Sequence, residues 1–174
     1  MMGCGAHPGI LSAVNVARML LAVALGLAAC ASSAPLVEQR TTQGPMADDV
    51  WAYRVLTMNG REPTFDERRH WESQLDLAIT RYLTKDQEFA SSPQLSTFRM
   101  LRQPVVGMSK EQVLILLDAP EGTTTDAAEM EKLARKYWPQ IRGKADEVWT
   151  YPLGWQFYFA DSRLVDIIQY QPRR

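Results

Sequence analysis

The stretch EVWTYPLGWQFYFADSRLVDIIQY, residues 147–170, decides the fold of this 174-residue chain. Two short links, Pro152 to Gly154 and Asp161 to Arg163, divide it, and links of this length favour hairpins between antiparallel strands. The stretch therefore predicts a three-stranded antiparallel meander sheet. Its strands are rich in aromatic and β-branched residues and span Glu147 to Tyr151, Trp155 to Ala160 and Leu164 to Tyr170.

The two sides of the middle strand differ in bulk. Successive side chains of a strand point to opposite faces, so Trp155, Phe157 and Phe159 share one face. Each buried aromatic ring removes about 150 to 250 Å² from water, which makes this set the predicted core. Tyr158 lies in the alternate set and is predicted to point outward, where it is a possible interface residue.

Two helices are predicted close to this sheet. Ser109 and Gln112 match a capping box after the turn residue Gly107, and the helix they begin ends near Pro120. An apolar stripe between Asp126 and Trp138, with Asp126 as a capping residue at its start, predicts a further helix inserted before the sheet. The whole chain is thus expected to be α+β, with the sheet and these helices in residues 105–174.

Residues 48–104 are predicted to be mainly helical. Thr64 and Glu67 form a capping box at the start of an amphipathic helix that runs from Phe65 to about Leu83. Lys85 to Arg102 is expected to form two short helices or a broken one that stops at Pro104. Asp49 to Met58 fits neither a helical nor a strand pattern well, so its structure stays undecided at this level.

The beginning of the chain has the pattern of a secretory signal. Residues 1–34 contain one charged residue, Arg18, and the apolar run from Met19 to Ala29 follows it directly. As a helix this run is about 16 Å long, short of the roughly 30 Å of hydrocarbon in a bilayer. Residues 1–29 are therefore predicted to be a cleaved signal peptide.

The four residues LAAC, Leu27 to Cys30, resemble the lipobox of bacterial lipoproteins, in which the cysteine is acylated. The resemblance implies lipidation of Cys30 by two or three acyl chains, enough for stable anchoring. The alternative is a buried or disulfide-bonded Cys30, but the other cysteine, Cys4, would leave with the signal peptide. Ala31 in place of aspartate after Cys30 implies sorting to the outer membrane, on the periplasmic side.

Residues 30–47 are predicted to be a flexible tether. They are rich in Ser, Thr, Gln, Pro and Gly and offer few large apolar side chains to offset the entropy cost of ordering. A random coil of this length reaches about 20 to 25 Å. The tether would hold a folded domain close to the membrane surface.

The order of features after residue 105 resembles the SmpA/OmlA (BamE-like) lipoprotein family of the outer membrane. The resemblance covers roughly residues 107–168, and it implies the helix-plus-meander fold and a role in outer-membrane protein assembly. Asp118 departs from the family pattern, which has a helix-ending glycine there, and residues 49–103 have no counterpart in small family members. The motif residues are Gly107, Met108, Ser109, Glu111, Val113, Leu117 and Pro120, followed by Val148, Trp149, Thr150, Tyr151 and the run Phe157 to Phe159.

The sequence offers little for catalysis or cofactors. After signal cleavage the chain keeps one histidine, His70, and no thiol besides Cys30, so no catalytic residue, metal ligand or cofactor is predicted. A net charge of −1 without a basic run argues against nucleic acid as a partner. No small-molecule substrate is expected either.

These features favour a binding or scaffold lipoprotein of the outer membrane, with an envelope protein as its partner. Two alternatives stay open. One is an envelope enzyme or an enzyme-inhibitor-like domain, since a fold does not determine function. The other is a structural protein that keeps its N-terminal apolar run as an uncleaved anchor.

Overall fold

The computed structural model describes residues 37–171, and these form an α+β fold, as predicted. Single turns of 3₁₀ helix at Phe89–Ser91, Arg135–Tyr137 and Pro152–Gly154, and a π-helical turn at Thr97–Leu101, connect the longer elements. The strands are β1 (Val37–Thr41), β2 (Gly122–Thr124), β3 (Glu147–Tyr151), β4 (Trp155–Ala160) and β5 (Arg163–Gln171). The helices are α1 (Ala47–Asn59), α2 (Phe65–Lys85), α3 (Lys110–Leu117), α4 (Ala127–Ala134) and α5 (Trp138–Ile141).

The sheet contains the predicted meander and two further strands. Its order is β1-β5-β4-β3-β2, with every pair antiparallel, so the three predicted strands lie at its centre. The two edge strands were not predicted. β2 has only three residues, and its Gly-Thr-Thr sequence contains no alternation of apolar and polar side chains that would mark a strand.

The predicted tether is wrong for residues 37–47. Residues 37–41 form β1 and pair along β5, from Val37 opposite Gln171 to Thr41 opposite Ile167. Gln43 then bridges to Val105, and Ala47 begins α1. Composition alone did not predict this order. Backbone hydrogen bonds to β5, a strand far away in the sequence, offset the entropy cost of ordering the segment. Residues 30–36 of the predicted tether lie outside the described residues.

The predicted helical segment forms, with its capping box at the start of α2. In α2 the Thr64 hydroxyl accepts from the Glu67 amide and the Glu67 carboxylate accepts from the Thr64 amide. The undecided segment from Asp49 to Met58 belongs to α1. Helix α2 continues to Lys85, just beyond the predicted end near Leu83, and the Asp86 carboxylate after it accepts from the Phe89 amide.

Residues 48–104 and 105–174 share one core rather than forming separate units. Helices α1, α2 and α3 pack on the face of the sheet that carries Trp155, Phe157 and Phe159, which confirms the predicted core face. Phe98, from the π-helical turn, is fully buried in the same cluster. Residues 48–104 therefore cover one side of the sheet together with α3.

The opposite face of the sheet is also covered, so the outward position predicted for Tyr158 is wrong. Tyr158 is 0% exposed and lies in a second apolar cluster with Val148 and Ile168. The predicted inserted helix supplies the cover: α4 begins at the predicted cap, Asp126, and α4 and α5 contribute Met130, Ala134 and Ile141 to this cluster. Tyr158 is thus a core residue and not an interface residue.

The lowered pKa values of two capping carboxylates, Glu67 and Asp86, predict how the stability of the fold depends on pH. Arg61, with the Thr64 amide and hydroxyl, lowers the pKa of Glu67 from 4.5 to about 2, and the Phe89 amide and then the Tyr82 hydroxyl lower the pKa of Asp86. A depressed carboxyl pKa stabilises the fold above the unfolded-state pKa, and this contribution is lost as the pH falls towards the folded-state value. We expect the melting temperature to fall between pH 5 and pH 2.

Thermal unfolding followed by circular dichroism at several pH values measures this dependence. Glu67→Gln should make the slope smaller, because the amide cannot titrate. Glu62→Gln, at a neighbouring exposed position, is the matched control. Identical slopes for Glu67→Gln and the unmodified protein would contradict the assignment.

Candidate functional site

A groove lies between α1, α2 and α3, on the outer side of the helical layer. Its volume is about 450 Å³, and it is open to solvent along one side. Leu114 of α3 is 41% exposed on it, so the groove presents apolar surface to the outside. The side chains that line it are mostly apolar: Ala47, Trp51, Trp71, Leu75, Ala78, Leu114, Ile115, Leu116 and Leu117, with Arg54, Gln74 and Asp118 as the polar members.

Two stacked tryptophans form one wall of the groove. The rings of Trp51 on α1 and Trp71 on α2 lie 4.8 Å apart between centroids and are inclined by 12°. Arg68 lies over the outer face of the pair, 5.7 Å from the Trp51 ring, and forms an ion pair with Asp48. Offset stacking and a cation over the ring both favour this arrangement, so the wall is a rigid aromatic surface that is only partly buried.

Arg54 forms the end of the groove. Its guanidinium donates to the carbonyl oxygens of Leu117, at 2.8 Å, and Ala119, at 2.6 Å. The last carbonyls of a helix have no intrahelical partner and carry partial negative charge, which a cation stabilises. Tyr151 supports the same turn, since its hydroxyl donates to the Asp118 carbonyl at 2.9 Å. Arg54 therefore joins α1 to the end of α3.

Asp118 takes a backbone conformation that normally requires glycine. Its φ is 62° and its ψ is −167°, a region that is strained for residues with a Cβ. The carboxylate offsets part of this cost by accepting from the Ala119 amide at 2.8 Å. Glycine at this position would relieve the strain, because it has no Cβ.

We expect Asp118→Gly to raise the free energy of unfolding by about 1 kcal/mol. Relief of strain contributes about 1 to 3 kcal/mol, and the added chain entropy of glycine and the lost carboxylate bond offset part of it. Urea denaturation measures the change. Asp118→Ala is the control: it keeps the Cβ, loses the carboxylate and should lower stability. Equal losses in both variants would show that the backbone at this position is not strained.

The family-motif residues at the start of α3 fasten that helix to the sheet. Gly107 has φ +97°, its amide donates to the Leu164 carbonyl at 2.7 Å, and a side chain there would strike Gln94. Met108 is fully buried, and Ser109 caps α3 in the predicted capping box with Gln112. These residues therefore act in packing and helix initiation.

Two further motif residues, both on β3, lie on the face of the sheet that α3 covers. Trp149 and Tyr151 of β3 are buried against α3, and the Trp149 indole donates to the Glu147 carboxylate. Burial raises the pKa of Tyr151 above its ordinary value, so its hydroxyl stays a hydrogen-bond donor. Pro120 is half-buried just after the strained turn. Tyr151 contacts two groove residues, Asp118 and Arg54, and the motif residue Leu117 itself lines the groove.

Two further residues considered in the sequence analysis, Cys30 and His70, lie away from the groove or outside the described residues. Cys30 lies outside the described residues, and His70 is exposed on α2. Trp51 and Arg54 were missed as groove residues, because α1 has no clear apolar stripe and its secondary structure stayed undecided. The partly polar helix α1 becomes recognisable as a groove wall only when α2 and α3 are placed beside it.

Further properties bear on the chemistry of this site. In the described part of the chain, no three His, Cys, Asp or Glu side chains are grouped so that they could hold a metal ion. Between residues 37 and 171, no helix combines the length and apolar character that crossing a membrane requires.

Comparison with family models, curated proteins and solved structures found no match. The SmpA/OmlA resemblance therefore stays a prediction, and the groove is interpreted from its own geometry.

Proposed function

We propose that this chain is an outer-membrane lipoprotein, acylated at Cys30 and facing the periplasm. In this proposal it works by binding, as a scaffold component in outer-membrane protein assembly or envelope integrity. Its partners are the membrane, through the lipid, and an envelope protein, through the groove. No catalytic role is assigned to it.

The open apolar groove carries the binding part of the proposal. The stacked pair Trp51 and Trp71, with Leu114 opposite, offers an aromatic and aliphatic surface of the kind that dominates protein interfaces. Arg54 holds α1 and α3 together through backbone carbonyls, so the groove is formed before any partner arrives. A preformed surface loses less entropy on binding, which supports recognition of an apolar segment of a folded partner.

The localisation part rests on the sequence before residue 37. The signal-like run from Met19 to Ala29 and the lipobox-like residues up to Cys30 support export and acylation. Mass spectrometry of the native N-terminus tests this directly. The expected product begins at Cys30 and carries acyl mass, whereas a retained residue upstream of Cys30 would identify the uncleaved anchor instead.

Site-specific crosslinking in living cells tests the groove. A photoreactive amino acid at Leu114 should capture an envelope protein, and Trp71→Ala in the same chain should weaken that capture several-fold. The matched control carries the photoreactive residue at Met100, which is 75% exposed and does not line the groove. Equal capture from the two positions would contradict the assignment of the groove as the binding surface.

A further inference from the structure

The tip that joins α1 to α2 exposes large apolar side chains. Met58 is 81% exposed, Phe65 is 73% exposed and Leu56 is 42% exposed, all within residues 56–65. We call this segment the α1–α2 tip. Arg69 lies over the Phe65 ring at 5.6 Å, so a cation stands beside the exposed aromatic side chain. Single exposed apolar residues are ordinary, but three large ones at the junction of α1 and α2 concentrate apolar surface at this tip.

Helix α1 points this tip towards one end of the sheet. We define the turn end as the end where Pro152–Gly154 joins β3 to β4. The start of α1 follows Gly44, which packs on the ring of Phe157 near the middle of the sheet. Further along, Arg54 lies over Tyr151 at the turn end, and α1 contacts the Pro152–Gly154 turn. The residues after Arg54 extend about 7 Å further at helical rise.

The lipidated segment enters the fold at the same end of the sheet. Val37 begins β1 opposite Gln171, beyond the rung where Gln169 pairs with Trp155 at the start of β4. Gly154 of the turn packs directly on the Tyr170 carbonyl. The chain from Cys30 therefore reaches the folded part at the turn end, where the α1–α2 tip also lies.

The covalent link between Cys30 and β1 is short. Only residues 31–36 separate Cys30 from Val37. Even when fully extended, the seven steps from Cys30 to Val37 span at most about 25 Å, at roughly 3.3 to 3.6 Å per residue. In the proposed lipoprotein, the link therefore limits how far the turn end can lie from the lipid head groups, and the exposed tip shares that end.

We infer that the α1–α2 tip inserts Met58 and Phe65 into the head-group region of the bilayer to which the acylated Cys30 anchors the chain. This inference rests on the proposed lipid anchor, and it adds a second, non-covalent contact that fixes the orientation of the domain. Moving apolar side chains from water to the boundary of the acyl chains is favourable in free energy. Arg69 remains at the level of the lipid phosphates. The groove between α1, α2 and α3 then takes a fixed direction relative to the membrane.

Fluorescence quenching on vesicles tests the orientation. The acylated full-length product carrying Met58→Cys is labelled with an environment-sensitive fluorophore and reconstituted into vesicles of phosphatidylethanolamine and phosphatidylglycerol that contain nitroxide-labelled lipid. The thioether-bound sulfur of Cys30 does not react, so the label goes to one thiol. Met100→Cys is the matched control, because it is similarly exposed on the π-helical turn. The mass of the acylated N-terminus is measured on the same sample.

The expected result is several-fold stronger quenching and a blue-shifted emission at position 58 compared with position 100. Equal quenching at both positions in a sample with acyl mass on Cys30 would overturn the inference and leave the proposed anchor standing. A blue shift that depends on protein concentration and not on lipid would assign the tip to a second copy of the chain and also overturn it. Absence of acyl mass would overturn both proposals, and the mass itself would identify that case.

Discussion

Replacing Phe157 with alanine is expected to lower the free energy of unfolding by about 3 to 5 kcal/mol. Phe157 is fully buried at the centre of the sheet, with the Tyr151 ring 5.2 Å away. Gly44 packs so closely on this ring that even a Cβ there would lie 2.7 Å from it. The truncation would therefore leave a cavity between the sheet and the chain that leads into α1.

Chemical denaturation followed by circular dichroism measures this loss. A small domain is stable by about 5 to 15 kcal/mol, so the variant should remain folded at low temperature with a clearly lower midpoint. Met100→Ala is the control and should change stability by no more than about 0.5 kcal/mol, since its side chain is exposed. A midpoint unchanged by Phe157→Ala would contradict the burial of this side chain between the sheet and the helices.

Arg40→Ala is expected to lower the free energy of unfolding by about 3 kcal/mol, at the low end for a broken buried pair because Arg40 is partly exposed. The Arg40 guanidinium makes a two-pronged contact with Asp166, with Nε at 2.9 Å and a terminal nitrogen at 2.7 Å from one carboxylate oxygen. The Asp166 side chain is only 6% exposed, so removal of Arg40 leaves a buried charge without its cation.

The double variant Arg40→Leu with Asp166→Leu separates the cost of the stranded charge from that of the strand. It should recover much of the lost stability, because replacing a buried pair with apolar residues is often neutral. Denaturation midpoints of the single and double variants give the comparison. If Arg40→Ala had no effect, residues 37–41 would behave as the flexible tether that composition predicts, and β1 would not be docked.

The docking of β1 matters for function as well as for stability. A flexible segment up to residue 47 would let the domain drift about 20 to 25 Å from its anchor. With β1 paired to β5, only residues 31–36 remain as a link, and the first strand becomes part of the sheet. In the proposed lipoprotein, the folded domain is therefore held close to the bilayer at one defined end.

Both proposed contacts depend on the helices between residues 47 and 85. The groove uses Trp51 and Trp71, and the α1–α2 tip uses Met58 and Phe65. This is the part of the chain for which the SmpA/OmlA resemblance offers no counterpart. The sheet with α3 supplies the framework on which these helices pack.

Local patterns in the residues sufficed to predict several elements. The three central strands and the capping boxes at Thr64 and Ser109 form as predicted. The helix inserted after Asp126 begins as predicted but ends at Ala134, and a 3₁₀ turn and α5 follow it. Hairpin links, caps and apolar periodicity act between residues that are near each other in the chain, so they can be read without a structure. The same local alternation correctly placed Trp155, Phe157 and Phe159 in the core.

Long-range packing decided the rest. β1 is ordered by a partner strand some 130 residues away, as in the Gln39 to Gln169 contact, and no local signal marks it. Tyr158 is buried because α4 and α5 cover the second face of the sheet, a placement that its own strand does not encode. The groove likewise exists only where three helices meet. Burial depends on what packs opposite a residue, and that follows from the tertiary structure.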